Sequence, residues 1–161
     1  MRSVAIAVLS LLACSAATPP PAAPDTALSS RDVAAVLDDW HDAAARADEP
    51  RYFAHFAPEG IFLGTDATER WDVPAFRAYA HPRFAEGRTW TFHSTARHIA
   101  FSADGRIAWF DESLATERLG PARGSGVLVR SAAGWLIAQY NLTLTIPNER
   151  FASVKKALET P

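Results

Sequence analysis

Cysteine is nearly absent from this chain: Cys14 is the only one, so no disulfide can form within it. Basic runs are missing too. Sixteen Lys and Arg against 18 Asp and Glu leave a net charge of −2, and without a concentrated positive face the chain is not read as a nucleic-acid binder. The five histidines, His41, His55, His81, His93 and His98, are scattered. With no helical His-x-x-x-His pair and no further cysteine, no metal site is expected. Neither a glycine-rich phosphate loop nor a Gly-x-Ser-x-Gly elbow occurs, which removes the common nucleotide-binding and serine-hydrolase signatures and leaves no cofactor implied. The apolar run from Val4 to Ala13 is about half the roughly 20 residues needed to cross a bilayer as a helix. No internal repeat is present.

What stands at the start is a charged Arg2, that short apolar run and small residues, the pattern of a secretory signal over residues 1–13. Leu11-Leu12-Ala13-Cys14 resembles the lipobox of bacterial lipoproteins, in which the cysteine carries the lipid. The expectation is an exported, periplasmic or membrane-anchored lipoprotein that touches the membrane only through Cys14. The Pro/Ala-rich stretch over 14–28, with Pro19, Pro20, Pro21 and Pro24, reads as an extended tether. A single domain over 29–151 follows, leaving 152–161 as a C-terminal tail for which a helix is one option.

Within the domain, Ser29-Ser30-Arg31-Asp32 reads as a capping box opening a helix. Val33, Val36, Leu37, Trp40 and Ala44 form its apolar face and Asp38, Asp39, Asp42 and Arg46 its polar one. Pro50 separates it from a short helix, Arg51 to Phe56. Pro58-Glu59-Gly60 reads as a turn and Ile61-Phe62-Leu63 as a short buried strand. Asp72 before Val73-Pro74 caps a third helix that runs to about Glu86, with Pro82 expected to kink its last turn. The period then changes to two. Thr89–Phe101, Ile107–Arg118, Arg123–Arg130 and Trp135–Ile146 read as four strands joined by glycine turns. The fold class is α+β: helices gathered at the N-terminal end, packed on one face of a curved antiparallel sheet. Gly124-Ser125-Gly126, at a strand start, reads as a bulge.

Three helices, a short strand and a long meander ending in Gly134-Trp135-Leu136-Ile137-Ala138-Gln139-Tyr140-Asn141, together with Gly64-Thr65-Asp66-x-x-Glu69-Arg70-Trp71, resemble the SnoaL-like branch of the nuclear transport factor 2 superfamily. The resemblance covers about Leu28 to Phe151. It implies a cone-shaped barrel with a pocket between the concave sheet and the helices, and frequent homodimerisation through the sheet. It does not choose a reaction, because the superfold hosts isomerases, dehydratases, cyclases, hydrolases and binding modules.

Two acidic sites are candidates. Asp66 and Glu69 lie beyond a strand end with Arg70 and Trp71 beside them. A carboxylate against an apolar ring would have its pKa raised, as a general acid or base requires, whereas the structural alternative is a turn cap. In Trp109-Phe110-Asp111-Glu112, strand alternation turns one carboxylate inward. Asp111 is the expected one, by parity with Ile107 and Trp109, with His93 or Arg97 of the preceding strand as its partner. A His93–Asp111 pair would make the imidazole a general base. In the last strand, Gln139 and Asn141 are expected on the side of Trp135 and Ile137, with Tyr140 opposite. Large apolar groups on both faces of that strand suggest a second subunit over the outer one.

The catalytic candidates are therefore Asp66, Asp111 and His93, and the ligand-binding ones Glu69, Arg70, Trp71, Trp109, Gln139, Asn141 and Tyr140. Two functions are open: a binding module holding a small, partly apolar molecule in a cone lined by Trp71, Trp109, Phe62 and Tyr140, or a cofactor-independent acid/base enzyme. Convergence of Asp66, Glu69, His93 and Asp111 on one cavity would favour the enzyme, and scatter the binding module.

Overall fold

The computed structural model describes residues 26–159, with side chains from 29 onward. The signal, Cys14 and almost all of the tether lie outside the described residues. The first helix, α1, spans Thr26–Ala45. Ser29, expected as its cap, is buried inside it, because Thr26-Ala27-Leu28 holds no glycine or proline to stop the helix from extending. Val33, Leu37, Trp40 and Ala44 recur on one face and are buried. Asp48 then caps α2, Glu49–Ala54, by accepting from the Arg51 amide at 3.2 Å, with Pro50 in the first turn.

Chain direction changes at His55, so Phe56, expected to end that helix, opens β1 (Phe56–Leu63). Pro58-Glu59-Gly60 is not a turn. It forms an irregularity inside β1, whose parallel pairing with the last strand jumps from Phe56 opposite Ile137 to Ile61 opposite Gln139. Gly60 permits this, since a Cβ there would meet the Phe56 ring and the Ile137 carbonyl at 2.9 and 3.0 Å. A strand that sequence reading missed, β2 (Arg70–Asp72), pairs antiparallel with β1, Phe62 opposite Trp71. Asp72 caps α3 (Val73–Ala85) by accepting from the Ala75 amide at 2.9 Å. The helix continues through Pro82 and is followed by Gly87 at φ 64°.

The meander comprises β3 (His93–Phe101), β4 (Ile107–Ala115), β5 (Ala122–Ser131) and β6 (Gly134–Leu144). With β1 beside β6 the six-stranded sheet has the order β2-β1-β6-β5-β4-β3, a curved, unclosed wall against which the helices lie. A short 3₁₀ turn (Asn148–Arg150) leads into α4 (Phe151–Glu159), which is exposed. The fold is the expected α+β arrangement. The concave side is lined by rings: Trp40 lies 4.4 Å from Tyr140, and Phe62 stacks on Phe76 at 4.0 Å. Burying such rings is the main stabilising term, about 1.5–3 kcal/mol for each large apolar side chain.

Two register shifts decide which residues face the helices. One falls between Ser94 and Ala96, where β3 meets β4, so that His93 pairs with Ala115 on the outer face while Arg97 pairs with Glu112 on the inner one. The other falls where Val127 pairs with Gln139 but Leu128 pairs with Ile137. Skipping Ala138 there puts Tyr140 on the same buried side as Trp135 and Ile137. Each extra residue moves every later side chain to the opposite face.

Candidate functional site

Between α1, α3 and the concave sheet the rings do not fill the space. A cavity of about 160 Å³ remains. Its walls include Phe62, Trp71, Phe76 and Trp90, its inner end is formed by Trp40, His41 and Tyr140, and Thr65, Glu69, Tyr79 and Leu119 stand at its mouth. Several ring planes are nearly parallel: Phe62 lies within 13° of Phe76, Phe76 within 7° of Trp71 and 16° of Trp90, and Phe62 within 5° of Tyr140.

Behind His41 and Tyr140 at the inner end sits a charged group withdrawn from water. Glu112 alternates with exposed neighbours along β4 and is 1% exposed. Its Oε1 accepts from the Tyr140 hydroxyl at 2.9 Å and lies 2.8 Å from His41 Nε2. Its Oε2 accepts from Arg97 Nε at 2.8 Å, with Arg97 Nη2 also 2.8 Å away. Arg97 in turn ties the sheet to α1, donating to the Ala34 carbonyl at 3.2 Å and pairing with Asp38 at 2.9 Å. Burial alone would raise the Glu112 carboxyl, but the His41 hydrogen bond and charge, together with those of Arg97, outweigh it and push it down to about 2. Tyr140 moves the opposite way, well above the ordinary phenol range, through burial first and then the charge and hydrogen bond of Glu112.

An ionised carboxylate can only accept, so His41 Nε2 must be the donor, and in the neutral ring Nδ1 is the basic atom. No described residue bonds to Nδ1. His41 follows Trp40 on the buried stripe of α1, four residues beyond Leu37, and the stripe carries its ring to the cavity. Space for the network comes from Gly124, opposite Glu112 on β5. A Cβ there would collide with the Tyr140 hydroxyl and come within 2.9 Å of Glu112 Oε1. Gly124 therefore serves close approach rather than a bulge.

The residues expected from sequence are mostly elsewhere. Asp66 is exposed and caps its own turn, accepting from the Thr68 hydroxyl at 2.6 Å and amide at 2.8 Å. Those two bonds, the hydroxyl first, hold its carboxyl below the usual range, the reverse of the raised value a base would need. Asp111 faces outward, 3.1 Å from His98 Nδ1, because Ala108, Phe110, Glu112 and Leu114 are the β4 residues that pack inside. His93, turned out by the β3 register shift, shares that outer face but does not meet it, because it pairs with Ala115, four residues further along β4, while His98 takes the place opposite Asp111. Trp109 is 49% exposed on the outer face, and Arg70, exposed on β2, is in neither cavity wall nor mouth. Gln139 and Asn141 lie opposite the buried Ile137 and Tyr140 rather than with them. Glu69, Trp71, Tyr140 and Phe62 do line the cavity. Glu69 is held there by the Asp66 amide, 3.2 Å from its Oε2.

The four acid/base candidates thus do not converge; His41, Glu112, Arg97 and Tyr140 do. Among the described residues no cluster of three His, Cys, Asp or Glu side chains is arranged to hold a metal ion.

Residues 33–147, which form this unclosed sheet and the helices against it, fit the model of the SnoaL-like domain. The chain belongs to the SnoaL-like domain family. Solved structures agree on the fold of this SnoaL-like domain. A domain of unknown function with a cystatin-like fold from Nostoc punctiforme PCC 73102 is 14% identical, with a TM-score of 0.65 over 83% of this chain and 88% of that one. A proposed dehydratase of the nuclear transport factor 2-like family from Streptomyces avermitilis gives a TM-score of 0.64 at 11% identity, covering 76% of this chain and 99% of that one. A nuclear transport factor 2-like protein of unknown function from Pseudomonas putida KT2440 gives 0.59 at 15%, covering 78% and 92%. At these identities the likeness concerns the fold alone. No functionally curated protein matches the sequence.

Proposed function

We propose that this SnoaL-like domain binds a small, flat, largely apolar molecule in its cavity, with His41 as the ionisable group that meets it. The observation that carries this reading is a cavity of about 160 Å³ whose lining is mostly aromatic, with Phe62, Trp71, Phe76, Trp90 and Tyr140 around it and His41 among them. Aromatic faces and edges turned to that space favour a ring-bearing, largely apolar guest by offset or edge contacts. The test is a thermal-shift screen of planar metabolites on the protein and on Thr65→Trp, which plugs the mouth from an exposed position. Ligands should raise the melting temperature of the first and not of the second; equal stabilisation of both would place binding elsewhere.

One observation favours a second reading, acid/base catalysis without a cofactor. A buried ion is costly, and here Glu112 is committed to fixing the tautomer of an imidazole that borders the cavity. This is the arrangement a general base uses. If it acts so, a bound ketone should exchange its α-hydrogen for deuterium from D₂O, as read by mass spectrometry. His41→Gln should stop the exchange while leaving binding; exchange that persists in His41→Gln would refute it. The cellular setting we propose for the domain is extracytoplasmic, from the signal-like and lipobox-like residues 1–14.

A further inference from the structure

Beyond the cavity mouth, the polypeptide from Arg88 to Phe92 and the β4–β5 loop diverge. β3 and β4 stop pairing at His93 opposite Ala115, and the chains on either side part into a crevice of about 190 Å³. Trp90, Phe92 and Leu119 border both this crevice and the cavity, so the two spaces adjoin. The chemistry changes sharply across that boundary. The crevice is bordered by Arg83, Arg88 and Arg118 and by the hydroxyls of Thr89, Thr91 and Thr116, with no carboxylate among its lining residues. Arg88 is bonded to Glu86. Arg83 lies over the Tyr79 ring at 4.5 Å and donates to the Tyr79 carbonyl, which positions it at the mouth. No described carboxylate pairs with Arg83 or with Arg118.

Across the mouth the charge is of the opposite sign, since Glu69 stands in the cavity wall beside Thr65. An entering molecule therefore meets a dipolar rim, negative beside β2 and positive beside the β4–β5 loop. We infer that the ligand of this cavity is an aromatic or similarly flat acid whose anionic group, a carboxylate or a phosphate ester, is received by Arg83 and Arg118 in the crevice while its ring enters the aromatic-lined cavity. Guanidinium groups bind both anions through paired N–H donors, and the hydroxyls of Thr91 and Thr116 supply further donors, that of Thr89 being given to the Ala44 carbonyl. The inference rests on the cavity reading above and adds the ligand's charge and orientation to it.

Isothermal titration calorimetry with 2-naphthoate, 2-naphthyl phosphate and the neutral 2-naphthamide tests it. At low ionic strength the anions should bind about tenfold tighter than the amide, the scale of one charge-assisted hydrogen bond, and 0.5 M salt should narrow the gap, since exposed charges are screened. The larger preference identifies which anion the crevice fits. The double variant Arg83→Gln/Arg118→Gln should bring the anions down to the affinity of the amide and leave the amide unchanged. Arg106→Gln, which changes the net charge at a distant hairpin, should alter none of the three. If amide and anions bind the wild type equally, or the double variant weakens all three alike, the inference is overturned and the cavity reading stands. If none of the three binds, the cavity reading falls and takes the inference with it.

Discussion

Replacing Arg97 with methionine isolates the physics of the buried network, because it keeps most of the side-chain volume and removes the charge that Glu112 faces. In the native protein the Glu112 carboxyl drops from its ordinary 4.5 to about 2; at about 1.4 kcal/mol for each pH unit, this amounts to about 3 kcal/mol of stability from an ionised Glu112. The sign follows from the direction. A carboxyl depressed by folding contributes fully above its unfolded value, so the contribution is present above pH 4.5 and disappears as the pH falls toward 2. In Arg97→Met, Glu112 keeps only His41 and Tyr140 as partners. An ion stripped of its guanidinium partner in a site it cannot leave should cost about 3–5 kcal/mol at pH 7.

Urea unfolding followed by tryptophan fluorescence reads this directly, since Trp40, Trp71 and Trp90 all border the cavity. The wild type should lose stability between pH 4.5 and 2, and Arg97→Met should show a smaller fall there because its carboxyl is no longer held as low. Adding Glu112→Gln to Arg97→Met should recover a substantial part of the loss, giving a coupling above about 1 kcal/mol in the double-mutant cycle. A loss below about 1 kcal/mol for Arg97→Met, or simple additivity of the two changes, would show that the pair is solvated and would refute the reasoning.

Gly124→Ala should destabilise the protein by about 1–3 kcal/mol, because the added methyl displaces the Tyr140 hydroxyl from a buried carboxylate; Tyr140→Phe in the same background should then cost little more, and full additivity would argue against the coupling. Asp111→Asn and Asp66→Asn, by contrast, should leave ligand affinity within about twofold, since both side chains are exposed away from the cavity. A larger change in calorimetric titration would reopen their role. The outer face carries Trp109 at 49% and Ile107 at 43% exposure, and we propose that a second copy covers it; sedimentation should give a dimer that Trp109→Lys converts to a monomer, and a wild-type monomer at 0.1 mM would count against it.

Local chemistry was readable along most of the chain, and what escaped was registry. Asp72 and Pro74 announced α3, glycine turns announced the meander, and alternation along β4 correctly divided Asp111 from Glu112. Alternation has no sign, however. Ile107 and Trp109 on one face weigh as much as Phe110 and Leu114 on the other, and only the β3 and β5 neighbours decide which face is inside. Two shifts of a single residue, near Thr95 and Ala138, then inverted the expected sides of His93, Gln139, Asn141 and Tyr140. The second shift also removes the argument for a covering subunit drawn from β6, because Trp135, Ile137 and Tyr140 all face inward; the case for one rests on Trp109 and Ile107 instead.

His41 and Glu112 did leave signals. His41 falls on the apolar stripe of α1, where a polar residue must find a partner, and Gly124 is an inward position without a side chain, facing Glu112 across the ladder. Such pairs of a charge and a vacancy are visible only when strands are laid side by side. That explains why a turn-capping carboxylate like Asp66 looked more functional than a carboxylate in mid-strand. Exposed acids near glycines most often serve the backbone. A buried one, surrounded by three side-chain donors behind a cavity, has no backbone to serve, so its cost is offset only by what it holds in place, and here that is His41 and the Arg97 tie to α1.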